Sequence, residues 1–197
     1  MNSSVADDIE TEISAGDERL WPWYALHVRT RGEAKLKTAL ESKGFTTFLP
    51  TYTESRKYSD RVKKVAAPLF PGYLFCRMDV TKRLPLLMTP GLHSIVGNMG
   101  VPQAIDEKEI DAIRRVVGAN IAAVPWPYLK AGDRVVVQYG SLAGVEGALV
   151  RDVRGDKLVL SVHLLQRSIS LEIERDWVKP LTVQIPSSVG KGSPDNS

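Results

Sequence analysis

The chain has 197 residues, 43% of them hydrophobic and 25% charged, with a formal net charge of +3. That length holds one ordinary domain or two small ones. The composition excludes a disordered chain, and no apolar run approaches the roughly 20 residues that a membrane-spanning helix requires. Residues 1–18 are acidic and polar, so they read as neither a secretory signal nor a mitochondrial transit peptide. The single cysteine, Cys76, leaves no internal disulfide, and the scattered His27, His93 and His163 do not form a zinc pattern. A reducing, cytoplasmic setting fits, and no cofactor is expected.

The net charge is unevenly spread. Residues 1–20 carry six acidic groups and one basic group, whereas residues 29–64 hold ten Lys/Arg against four Asp/Glu. A field of that sign favours an anionic partner, nucleic acid first, although a solvated charged face would look the same.

In chain order, Trp23–Val28 is short, aromatic and β-branched and reads as a strand. Thr30 and Glu33 match a capping box. Leu36, Ala39, Leu40 and Lys43 follow at helical spacing, and Gly44 supplies the stop. Phe45–Thr53 reads as a second strand, residues 54–64 as a basic exposed hairpin or loop, and Val65–Met78 as strand broken by Pro68, Pro71 and Gly72. Leu84, Leu87 and Met88 suggest a short helix, Leu92–Val96 a strand, residues 97–100 a turn and Val101–Ile105 an extended segment. Asp106 and Glu109 form a second capping box. The stripe Ile110, Ile113, Val116 and Val117 belongs to a long helix that Gly118 ends. This order predicts an α+β sandwich over residues 21–118, with helices on one face of a mainly antiparallel sheet.

Residues 119–128 lose all period around Pro125-Trp126-Pro127, which is linker composition. Residues 129–183 carry five short strand patterns separated by Gly or Asp turns and predict a small closed β-barrel. The tail, residues 184–197, and the acidic head, residues 1–20, are expected to be disordered. The sparse linker predicts two independent modules.

Catalytic patterns are missing: there is no Gly-x-Ser-x-Gly, no phosphate-binding loop and no His-Glu-x-x-His. The residues do not suggest an enzyme, and Cys76 reads as a small buried hydrophobe. Two segments stand out. Pro68-Leu69-Phe70-Pro71-Gly72-Tyr73-Leu74-Phe75 puts aromatic rings on and beside a bend, either as core or as an exposed protein-binding patch. Gly132–Gly147 runs a strand into a glycine-rich turn, as a sharply bent ribbon requires.

Those two segments carry a resemblance. Gly132–Gly147 resembles the KOW motif. Trp23-Tyr24, the Pro68–Phe75 run and Thr89-Pro90-Gly91 resemble the N-terminal (NGN) domain of NusG-type transcription factors. The resemblance covers residues 22–182. It implies an RNP-like NGN domain followed by an SH3-like KOW barrel, and a non-enzymatic elongation or antitermination factor that suppresses RNA polymerase pausing. It implies that Phe70, Tyr73 and Phe75 meet the clamp helices of the largest polymerase subunit, and that Lys82 and Arg83 lie at a second polymerase contact. It also places Arg29 and Arg31 near upstream or non-template DNA, and Lys35, Arg61 and Lys63 of the same basic stretch are the further candidates for nucleic-acid contact. Leu164, Leu165 and Arg167 match the KOW loop that recruits a small-subunit ribosomal protein or the Rho terminator. Leu165-Gln166 replaces the aromatic-glycine pair of housekeeping members, which points to a specialised paralogue. Phe70 and Tyr73 are therefore expected to be exposed or half-exposed, on a monomeric protein without a membrane partner. The alternative from another class is a ribosome-associated structural KOW protein that binds RNA.

Overall fold

The computed structural model describes residues 21–57, 62–128, 132–153 and 155–181. Residues 1–20, 58–61 with Arg61 among them, 129–131, 154 and 182–197 lie outside the described residues.

The N-terminal half is built on β1 (Trp23–Val28). It continues through α1 (Glu33–Glu41), β2 (Thr46–Phe48), β3 (Thr51–Lys57), β4 (Val62–Pro68) and β5 (Tyr73–Arg77). Then follow α2 (Leu84–Leu87), β6 (Leu92–Ile95), β7 (Gly97–Asn98), β8 (Val101–Pro102), β9 (Ala104–Ile105) and α3 (Glu107–Gly118). The main sheet runs β2-β5-β1-β6, with β9 also paired to β1. Strands β3 and β4 form a separate hairpin, so of the two readings of the basic stretch, hairpin or loop, the structure has the hairpin.

Alternation along β1 and β5 decides what each sheet face buries. Tyr24, Leu26, Val28, Leu74, Cys76 and Met78 pack with Leu36 and Leu40 of α1 and Leu86 of α2. Trp23, Ala25 and Phe75 project the other way and pack with Ile110, Ile113 and Val116 of α3. The two long helices thus cover opposite faces, which corrects the expectation of helices on one face. The stripe of α3 was legible, but its side of the sheet depends on the β9 connection, which has no period to read.

The predicted capping boxes do not form. Gly32 stands at the N-cap of α1 without a side-chain cap, and Arg31 before it has φ +69°. Asp106 does cap α3, accepting the Lys108 N–H at 2.9 Å, but Glu109 turns its carboxylate elsewhere.

The C-terminal half comprises β10 (Ala123–Trp126), β11 (Asp133–Val137), β12 (Glu146–Asp152), β13 (Gly155–Val162), β14 (Arg167–Glu172) and β15 (Val178–Pro180). All pairings are antiparallel in the order β10-β14-β13-β12-β11-β15. Six strands replace the expected five, and among the described residues no ladder joins β10 to β15, so the closed barrel is not formed by hydrogen bonding. The sixth strand comes from the stretch read as linker: Ala123 to Trp126 pair with Leu171 to Ser168.

The two halves are not separate in this structure. One buried hydrophobic cluster runs from Trp23, Phe75 and Ile113 through Ala123 to Val137, Leu160 and Ile169. Where a freely swinging connection was expected, α3 packs on β13 and on the 3-10 turn Gly140–Leu142.

Candidate functional site

The aromatic run is delivered by β5. Its register with β1 places Tyr73 opposite His27 and Phe75 opposite Ala25. Phe70 is 1% exposed and Phe75 is fully buried. Their rings meet edge-on at 5.6 Å, and Phe48 and Trp23 extend the stack. The expected exposure of Phe70 is therefore wrong: α3 lies over this sheet face and seals it. Tyr73, one pair nearer the end of the face, is half-buried. Its ring lies 5.6 Å from that of His27, which lies 5.4 Å from that of His93. Both histidines are exposed. Sequence reasoning missed them as neighbours of Tyr73, although alternation from Trp23 already placed His27 on that face.

The bend before Tyr73 is held from outside the strand. Gly72 has φ +83°, which only glycine adopts without strain. Its N–H donates to Glu33 Oε1 at 2.8 Å, and its carbonyl accepts the Val28 N–H at 2.8 Å. Glu33 is 3% exposed, in the first turn of α1, where the helix N-terminus favours a carboxylate.

Arg29 and Arg31 lie in the β1–α1 connection and Lys35 in the first turn of α1, beside this bend. All three are exposed, and none has an ion-pair partner among the described residues. Lys63 is exposed on the β3–β4 hairpin, a different sheet, so the structure does not group it with them through any shared element.

Lys82 and Arg83 are exposed around the 3-10 turn Val80–Lys82 and the start of α2. Asp79 caps that turn. The Thr81 hydroxyl, and next its N–H, hold the Asp79 carboxyl below the usual carboxylate value. Leu86 anchors α2 on the α1 side of the sheet, leaving Leu84, Leu87 and Met88 exposed. The five residues assigned to polymerase contacts thus fall on two faces: the aromatics on one, Lys82 and Arg83 beside the other.

In the C-terminal half, Leu164, Leu165 and Arg167 frame the 3-10 turn His163–Leu165, which Gln166 closes at φ +51°. Arg167 is exposed, Leu164 half-buried and Leu165 buried in the shared core. Free access to Leu165 is therefore corrected: the turn faces α3. Glu109 of α3 accepts the His163 N–H and contacts its Nδ1. Arg115 of α3 donates to the carbonyls of Ser141 at 3.0 Å and Ala143 at 2.6 Å. A cleft of about 720 Å³ between the halves is bordered by Glu109, Arg115, Arg134, Glu146 and His163. No helix among the described residues is long and apolar enough to cross a membrane.

Residues 22–114 match the protein family NusG, described as transcription termination factor nusG. Curated relatives span both halves. The transcription termination/antitermination protein NusG of Lactococcus lactis is 28% identical over 138 residues, covering 68% of this chain and 74% of its own. That of Halalkalibacterium halodurans is 28% identical over 168 residues, covering 77% and 94%. That of Staphylococcus epidermidis is 26% identical over 175 residues, covering 81% and 95%. A solved structure, "Domain interaction in Thermotoga maritima NusG", aligns with a TM-score of 0.49 at 18% identity, over 82% of this chain and 97% of that one. The family model over β1 to α3, and same-named relatives whose alignments run on into the C-terminal half, make the chain similar to the NusG transcription termination/antitermination proteins.

Proposed function

We propose that this protein is an elongation factor that binds RNA polymerase through the Tyr73 end of its main sheet, suppresses pausing and modulates termination. The observation that carries the reading is one arrangement. A half-buried tyrosine is fixed by a glycine bend and flanked by exposed His27 and His93, next to the cations Arg29, Arg31 and Lys35. An aromatic ring held at the edge of a sealed core is a suitable protein anchor. Neighbouring cations without ion-pair partners suit nucleic acid that runs alongside. Phe70 and Phe75 support the anchor from beneath rather than touching a partner. Lys82 and Arg83, with exposed Leu84 and Met88, offer a second polymerase contact at the other face. The Leu164–Arg167 turn of the C-terminal half, a KOW module in this reading, recruits a further factor once it leaves α3.

The test is transcription in vitro on a template with a defined pause, with and without the protein. Pause lifetimes should shorten with the wild type and stay long with Tyr73→Ala. Truncating a central aromatic anchor costs about 2–4 kcal/mol, on the order of 30- to 1000-fold in polymerase affinity. Because Tyr73 is not sealed in the core, the variant's Tm should fall by no more than about 5 °C. A variant that binds polymerase normally, or that unfolds, removes Tyr73 from the interface.

A further inference from the structure

A second apolar site lies in the C-terminal half and shares no lining residue with the Leu164–Arg167 turn. A pocket of about 220 Å³ opens between Ile121, Val137, Leu142, Leu171 and Ile173, with Trp177 at its edge. The volume falls below the roughly 300–1,000 Å³ of small-molecule sites and suits a single inserted side chain.

The pocket is rigid on its aromatic side. Trp177 is 42% exposed, yet its position is fixed. Its backbone N–H donates to the Glu174 carbonyl at 3.0 Å, and its backbone carbonyl accepts the Gln138 N–H at 2.7 Å. Its ring lies against Gly140, whose φ is +74° and where a Cβ would come within 2.9 Å of the ring. A ring held in place before a partner arrives loses little freedom on binding.

The rim is acidic. Glu172 and Glu174 line the opening, and both are exposed. The nearby cations are engaged elsewhere. Lys157, opposite Glu172 in the ladder, has its Nζ 2.8 Å from Asp152 and 4.6 Å from the Trp126 ring centre. Arg175 faces Asp156 at 3.7 Å. Among the described residues, neither glutamate has an ion-pair partner. Two such carboxylates repel phosphate and favour a cationic partner.

We propose that this pocket docks a protein segment carrying one leucine-sized apolar side chain flanked by Lys or Arg. The inference stands independently of the polymerase reading. It is tested by selecting a random-peptide display library on the full chain, then titrating the enriched peptides into the ¹⁵N-labelled full chain. The enriched peptides should share an apolar residue between basic ones and shift the Trp177 indole and the Val137 and Ile173 amides. They should also bind about tenfold more weakly to E172K/E174K. If that variant misfolds, E172Q/E174Q serves, with a smaller loss in the same direction. The proposal is overturned by no enrichment, by enrichment without the basic–apolar pattern, by shifts that map elsewhere, or by equal affinity for the charge variant. Equal shifts at Trp177 from a single-stranded RNA 20-mer also overturn it.

Discussion

Glu33 shows how much a single side chain can decide. It is a buried carboxylate whose Oε1 accepts the Gly72 N–H, and that bond fixes the turn from which Tyr73 projects. A charge-assisted bond of this kind is stronger than one between neutral groups. Removing the acceptor would leave a buried N–H unpaired, at a cost of about 1–3 kcal/mol. Glu33→Ala should therefore destabilise the chain by that amount in thermal or urea denaturation. It should also weaken polymerase binding, because the bend loses its outside support. Glu33→Gln keeps an oxygen acceptor and should recover most of both. If Glu33→Ala is as stable as the wild type, the carboxylate is not what sets the bend. Glu107 has a comparable role at the other end of β1: it accepts the Trp23 indole N–H at 3.3 Å and pairs with Arg77, which also lies over the Trp23 ring.

At the scale of elements, the β1–α1 connection is the part with the most direct consequence. Arg29, Arg31 and, in the first turn of α1, Lys35 lie within a few residues of one another and remain exposed. If they meet phosphates, binding to a transcription complex should weaken with salt, and Arg29→Ala with Arg31→Ala should flatten the log–log slope. Each lost contact contributes about 0.7–0.9 to that slope. An unchanged slope would reduce these residues to a solvated face. The elements themselves were largely legible. β1, α1 and α3 have strong periods and formed where alternation and helical spacing put them. The glutamates were not legible. Glu33 and Glu109 sit where a capping box expects them, yet each reaches a residue far along the chain, Gly72 and His163. Local spacing cannot reveal a competing tertiary donor. β10 was hidden for a related reason: Pro125 and Pro127 look like linker, but a strand at the end of a sheet tolerates proline. The aromatic face was half legible. Alternation put Tyr73 and Phe75 on one side, but only the placement of α3 decides that Phe75 is sealed and Tyr73 is not.

For the whole molecule, the seam between the halves combines a continuous apolar cluster with a few polar fastenings, and the two have different consequences. The apolar part, from Ile113 through Ala123 to Leu160, favours the closed arrangement without fixing its geometry. The polar part is directional: Arg115 holds the carbonyls of Ser141 and Ala143, and Glu109 holds His163. Both fastenings come from α3 and grip two turns of the C-terminal half, the one between β11 and β12 and the one after β13, so removing them should let the C-terminal half move as a unit. Exposed charged hydrogen bonds of this kind are worth about 1 kcal/mol each, so Glu109→Ala with Arg115→Ala should cost about 2 kcal/mol of closure. That is roughly 30-fold in the ratio of closed to open forms. The readout is thiol labelling of Leu164→Cys, because Cys76, the chain's own cysteine, is buried and should not compete. Labelling at position 164 should be faster in the Glu109/Arg115 background, and small-angle scattering should give a larger radius of gyration than the parent variant shows. Unchanged labelling and scattering would mean that apolar packing alone keeps the Leu164–Arg167 turn against α3, and that access to this turn has to come from a partner displacing the helix.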